Sequence, residues 1–310
     1  MKILVSGASG FVGGALLPAL AASGHQVVRL ARAGAARPGA AQPGAARSEA
    51  AVTWAPAAGR IDPAAIEGYD AVVHLAGEPI ADKRWTPDQK RRIRDSRVDG
   101  TRLLSEALTQ LSRPPRVLAC ASAIGYYGSR GDALLNEDSP SGNDFLAEAC
   151  REWEAATGPA ARAGIRVVNL RFGFILGTRG GGLRKMLPPF RMGLGGPLGD
   201  GRQYVSWVTV DDAAGAAAFA LTADNLRGPV NVVAPRPVTN AEFTRTLGRV
   251  LSRPVFLPMP AFAARLAFGE VADAVILASQ RVDPARLRAA GYRFRHPDLE
   301  PALRDLLGRA

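Results

Sequence analysis

The chain has 310 residues, 47% of them hydrophobic and 22% charged, an ordinary balance for a globular protein with a large core. Its apolar runs, such as 3–5 and 71–73, are far shorter than the ~20 residues of a membrane span, so no membrane association is expected. Two cysteines, three histidines and a diffuse net charge of +11 indicate no disulfide framework, no metal and no nucleic-acid partner.

In chain order, residues 2–6 form an apolar run followed at once by glycines and a serine. This is a first strand rather than a signal peptide, and a cytoplasmic protein is expected. Phe11–Ala22 reads as a helix closed by Ser23-Gly24, where glycine supplies the left-handed end. Gln26–Ala31 is the next strand, completing a strand–helix–strand unit of about 30 residues. The segment 33–50 repeats Ala, Gly and Pro without apolar periodicity and reads as a flexible loop insertion.

A strand at Ala51–Trp54, a short helix or turn at Ile61–Glu67 and a dense apolar strand at Asp70–Ala76 follow. Trp85–Leu111 is a long helix, in which the basic run Lys90–Arg94 lies between Asp88 and Asp95 as a solvated face. Then come strand Arg116–Ala121, helix Asn143–Ala163 and strand Arg166–Arg171. Such alternation predicts an α/β fold of the Rossmann type, a doubly wound parallel sheet. From Gly173 onward Gly and Pro rise. A strand at Tyr204–Val208, a helix at Asp211–Leu221 that one of its two aspartates caps, and a strand at Pro229–Val233 follow. Helices at Asn240–Leu251, Ala261–Phe268, Asp283–Ala290 and Leu299–Leu307 end the chain. The expected division is a dinucleotide-binding domain at 1–172 and a smaller substrate-side lobe at 173–310, from which some elements return to the first domain.

Gly7-Ala8-Ser9-Gly10-Phe11-Val12-Gly13 lies between the first strand and the first helix. The first glycine permits the tight turn, the second lets backbone approach phosphate, and the third lets helix and strand pack closely. The helix start offers free N–H groups to a pyrophosphate. This marks an NAD(P) site. The second strand ends Arg29-Leu30-Ala31-Arg32 without an acid, so Arg32, with Arg29 as the second candidate, is placed to pair with a 2′-phosphate, favouring NADP(H) over NAD(H). Leu75-Ala76-Gly77 lets the chain pass close to the cofactor, with Glu78 and Arg84 within a ligand's reach. His74 reads as a structural histidine at the strand end.

These residues, with "DAVVHLAG" at 70–77 and "SAIGYYG" at 122–128, resemble the extended short-chain dehydrogenase/reductases over nearly the whole chain. More narrowly, "AGEPIADKRW" at 76–85, "SRVDGT" at 96–101, "NLRFGFILG" at 169–177 and "GDGRQYVSWVTVDD" at 199–212 resemble the atypical epimerase-like subgroup. "LAFGE" at 266–270 and "QRVDPARLRAAGYRF" at 280–294 resemble its C-terminal tail domain. The resemblance implies nicotinamide chemistry with a Tyr-x-x-x-Lys pair, an upstream serine and an asparagine. Ser122 matches the serine. Leu146 and Cys150 stand at the tyrosine and lysine positions, and Arg97 at the asparagine position.

Leucine transfers no proton, and a neutral thiol does not replace an ammonium. Tyr126 and Tyr127 are the substitute proton donors beside Ser122, or else they pack over the nicotinamide side. Cys150 is a small buried helix residue, with a nucleophile or redox sensor as the alternative. Glu148 and Glu152 read as exposed. Arg171 is expected near the nicotinamide, and Arg202 with Trp207 to face an anionic or sugar-like small substrate. Two functions follow: an NADP(H)-dependent epimerase- or oxidoreductase-like enzyme with an atypical site, or a catalytically silent NADP(H) sensor.

Overall fold

Buried apolar strands alternate with helices through most of the chain, and the computed structural model describes residues 1–34 and 51–309. The expected insertion at 33–50 lies, from residue 35 on, outside the described residues. The first elements are β1 (Lys2–Ser6), α1 (Phe11–Ala22), β2 (Gln26–Arg32), β3 (Val52–Ala55), β4 (Arg60–Ile61) and β5 (Ala71–His74). Next come α2 (Pro87–Thr109), β6 (Val117–Ala123), β7 (Leu134–Leu135), α3 (Phe145–Ala155), α4 (Gly158–Arg162) and β8 (Arg166–Phe172). Beyond them lie β9 (Phe174–Leu176), α5 (Gly181–Arg191), β10 (Tyr204–Val205), β11 (Trp207–Thr209), α6 (Val210–Thr222) and β12 (Gly228–Val232). The last are β13 (Val238–Thr239), α7 (Asn240–Leu251), α8 (Ala261–Phe268), β14 (Arg281–Val282), α9 (Ala285–Ala289) and α10 (Leu299–Leu307).

One eight-stranded sheet runs in the order β12-β8-β6-β5-β1-β2-β3-β4, and only the β3–β4 edge is antiparallel. The two-residue period of a strand divides its side chains between two cores. Ile3 and Val5 of β1 join Leu16 of α1 and Ala217 of α6 on one face. Leu4, between them, joins Leu104 and Leu108 of α2 on the other. The strand order reverses at β1, which puts a ligand crevice at the carboxyl ends of β5, β1 and β2. β12, from beyond residue 172, pairs with β8 and completes this sheet.

Four local expectations are corrected. α2 starts at Pro87 rather than Trp85, since Thr86 caps it by accepting the Gln89 N–H at 3.1 Å and Pro suits the first turn. The helix expected over 143–163 is two, α3 and α4, with Gly158-Pro159 opening the second. α6 is capped by Thr209, whose Oγ1 accepts the Asp212 N–H at 3.1 Å. Asp212 instead accepts the backbone N–H groups of Arg295 and His296 at 2.7 and 2.9 Å, fastening the C-terminal segment to the sheet layer.

Trp207 is the fourth. It is fully buried, and its indole N–H donates to the Arg236 carbonyl at 3.1 Å. It packs a separate core with Leu187 and Phe190 of α5, Phe243 of α7 and Leu303 of α10, so it presents no surface to a substrate. Among the described residues no helix is long and apolar enough to cross a membrane. Trp207→Ala is expected to cost ~3–5 kcal/mol of stability, read as a lowered midpoint in urea unfolding.

Candidate functional site

Gly7 has φ +69°, and a methyl group there would lie 2.6 Å from the Leu75 carbonyl carbon. One at Gly13 would lie 2.4 Å from the Gly7 oxygen, so Gly13 is required by the close approach of α1 to the turn after β1, and Gly7 by the passage of the chain leaving β5. At Gly10 a methyl would meet only the Gly7 oxygen, at 3.1 Å. No side chain caps α1 and no acid sits in its first turn, which leaves first-turn N–H groups for an anion. Ser9 and Gly10 are exposed at the rim. The turn therefore fits a pyrophosphate by donor chemistry and by space.

Phe11 and Val12 open the helix. The Phe11 ring packs against backbone: methyl groups at Gly177, Gly180 and Gly181 would lie 2.6, 2.7 and 2.7 Å from its atoms. The glycine-rich segment after β9 thus packs against this ring, which stays partly exposed. Arg32 is exposed at the end of β2, with no ion-pair partner among the described residues. Leu75, Ala76 and Gly77 pass beside the turn, and the Glu78 N–H is held by Ser96 Oγ at 3.0 Å. Arg84 donates to the Leu266 carbonyl, and Lys185 pairs with Asp82 at 2.7 Å. The segment after β5 is therefore clasped by α5 and α8. His74 is fully buried, with Nδ1 2.5 Å from Ser6 Oγ, and burial pulls it down to about 4. It is a neutral structural residue.

At the end of β6 the structure brings together Ser122, Tyr126, Tyr127 and Arg171, and adds Glu154. Ser122 Oγ donates to Glu154 Oε1 at 2.7 Å. Arg171 grips the same carboxylate through Nε and Nη2 at 2.7 and 2.8 Å. Its Nη1 donates to Tyr127 Oη at 3.0 Å, and that hydroxyl donates to Asn231 Oδ1 at 2.7 Å. The guanidinium lies 3.5 Å from the Tyr126 ring centroid. Burial alone would lower Arg171, but hydrogen bonding and charge from Glu154 outweigh it and hold the group well above its usual value.

Two expectations change accordingly. Arg171, 2% exposed, is committed to Glu154 and Tyr127 and does not face a ligand. Tyr127 is fully buried, its hydroxyl is spent on Asn231, and burial pushes it up to about 12. Of the two tyrosines, only Tyr126 keeps partial exposure. Arg202 is exposed, its backbone N–H held by Asp200 at 3.0 Å, and it makes no hydrogen bond to this network.

Leu146 and Cys150 pack beneath the turn at Gly125, where a methyl would lie 3.4 Å from Leu146 Cβ. Burial pushes the Cys150 thiol up to about 12. Glu154 escaped the sequence reading, although a signal was present. Positions 146, 150 and 154 share one face of a helix, so Glu154 stands one turn beyond the lysine position. Glu148 is exposed, but Glu152 is partly covered and paired with Arg94 at 2.6 Å.

Residues 3–233 match the model of the NAD dependent epimerase/dehydratase family. The chain belongs to that family. Residues 259–306 match a further domain of unknown function, DUF1731. The epimerase family protein Mb2239 of Mycobacterium bovis is 43% identical over 301 residues, 97% of this chain and 96% of that one. The human epimerase family protein SDR39U1, crystallised with NADPH, superposes with a TM-score of 0.88 at 35% identity, covering both chains fully. A nucleoside-diphosphate sugar epimerase of Corynebacterium glutamicum superposes at 0.78 with 36% identity, over 99% of this chain and 58% of that one. Within the epimerase/dehydratase frame, the glycine turn stands at the expected strand-to-helix junction, while the face of α3 carries Leu146, Cys150 and Glu154.

Removing one partner of a buried ion pair strands the other charge. Glu154→Ala is therefore expected to cost ~3–5 kcal/mol in urea unfolding, with Glu154→Gln costing less. Both cysteines are buried and free, and both thiols are pushed up to about 12. At pH 8 they remain protonated, so a thiol reagent is expected to label neither until the protein is unfolded.

Proposed function

We propose that the chain binds NADP(H) in the crevice at β5, β1 and β2 and acts as an atypical epimerase- or oxidoreductase-like enzyme on a small substrate. The observation that carries the cofactor reading is the uncapped start of α1 behind Gly7, Gly10 and Gly13, with Arg32 where an acid would select NAD(H). The NADPH held by human SDR39U1 supports it. Gly7, Ser9, Gly10, Val12 and Gly13, with the Phe11 backbone, cradle the pyrophosphate. Leu75–Gly77 borders the cofactor, with Glu78 beyond it.

When bound, the nicotinamide donates or accepts a hydride. Ser122, 3% exposed at the end of β6, gives its own proton to Glu154, so a substrate hydroxyl that reaches the floor of the crevice would donate to its lone pairs and be oriented there. Tyr126, partly exposed and fixed by the Arg171 guanidinium, is the candidate proton donor. Arg171 and Tyr127 act through these two as positioning residues. Arg202 remains the candidate for an anionic substrate group. The silent-sensor reading is favoured by one observation: Leu146 and Cys150 fill the tyrosine and lysine positions with buried groups that exchange no proton.

Titration of the purified protein with NADPH and NADH, followed by nicotinamide fluorescence, tests the cofactor. NADPH is expected to bind more tightly, and Arg32→Ala to weaken NADPH about tenfold or more, as loss of a charge-assisted pair does, while leaving NADH unchanged. Equal affinities in the wild type overturn the NADP(H) preference. NADPH oxidation against carbonyl and nucleotide-sugar substrates then separates the two functions. Turnover lost in Ser122→Ala marks an enzyme, and tight binding without turnover marks a sensor.

A further inference from the structure

Arg97 lies on α2, and its guanidinium has few partners. Nη1 donates to the Ile93 carbonyl within the same helix at 2.9 Å. Cζ lies 5.1 Å from the Trp153 ring centroid on α3. A methyl group at Gly77 would lie 3.3 Å from Cζ, so the cation reaches the chain as it leaves β5. Among the described residues no carboxylate stands within ion-pair distance of it. A guanidinium carries five N–H donors, and one is used here.

Arg97 is partly drawn out of water, and Glu78 acts on it through charge without an ion-pair contact; a cation so placed is costly unless further polar groups meet it. Cys150, the neighbour at the lysine position, is a neutral thiol and supplies no charge. The sheet order β6-β5-β1-β2 decides which ligand groups lie within reach. A dinucleotide laid across this crevice has its adenine half over β2, where Arg32 stands. Its nicotinamide half would then fall on the side of β5 and β6, the side that carries Arg97 and Ser122.

We infer that Arg97 holds the nicotinamide half of the bound dinucleotide, donating to its ribose hydroxyls or adjoining phosphate oxygens in place of the absent lysine. This rests on the cofactor reading above. The guanidinium comes from α2 rather than α3, and Gly77 is the residue that makes room for it.

The test compares NADPH with adenosine 2′,5′-bisphosphate, which carries only the adenine half, by calorimetric titration of the full-length protein. Arg97→Ala is expected to weaken NADPH about ten- to a hundredfold, the range for hydrogen bonds to a charged group, and to leave the bisphosphate unchanged. Arg97→Lys should recover part of the loss, because it keeps the cation but not the fork. Should the alanine variant unfold, as circular dichroism would show, Arg97→Gln keeps the packing on Trp153 and serves in its place. No loss for NADPH, or an equal loss for both ligands, overturns the inference. A wild-type protein that binds neither ligand overturns the cofactor reading, and this inference with it.

Discussion

The ion pair between Arg171 and Glu154 is the interaction on which the rest of the site depends. Its side chains are 2% and 13% exposed, a setting in which charges persist only if nearly every donor and acceptor is met. Here they are met by a chain of bonds. Glu154 accepts from Ser122 and twice from Arg171, and Arg171 passes through Tyr127 to Asn231. Asn231 donates from its side chain to the Asp283 carbonyl and from its backbone to Glu137. One buried charge pair thereby locks β6, α3, β8, β12 and the segment after β14 into a single arrangement.

That arrangement accounts for the loss of the Tyr-x-x-x-Lys pattern in physical terms. A lysine at Cys150 would set a third cation beside Arg171 and Arg97, where the buried carboxylate of Glu154 is already paired with Arg171. With a neutral thiol at 150 and leucine at 146, the face of α3 instead seals the turn at Gly125 and leaves Glu154 to Arg171 and Ser122. The positive charge near the crevice then comes from Arg97 on a different helix.

The cofactor side follows from steric exclusion. Gly7 and Gly13 are required by backbone contacts below 3 Å, and the Phe11 ring that follows packs against the glycine-rich segment after β9. Packing of the later part of the chain thus reaches the glycine turn through this aromatic ring, beside the apolar contacts of Ala8 and Val12.

Local signals settled a large share of this architecture. Phe11–Ala22, Asn240–Leu251, Ala261–Phe268 and Leu299–Leu307 are helices at the limits their patterns indicated, because periodicity and terminal residues act over a few positions. The glycine turn was legible for the same reason: its spacing states a backbone requirement. Pairings between residues far apart in the chain were not legible. Trp207 looked like a ligand contact until α5, α7 and α10 closed around it, and one of Asp211 and Asp212 looked like a cap, whereas Thr209 takes that place and Asp212 meets Arg295 and His296 across more than 80 residues. Glu154 carried no mark as the partner of Arg171, since burial of a charge is set by what surrounds it. The sequence by itself determined the strand-helix alternation, the phosphate turn and the absence of the usual acid–base pair. Only the tertiary structure decided which polar side chains are consumed in holding the site together and which remain for a ligand, because that depends on contacts no local spacing encodes.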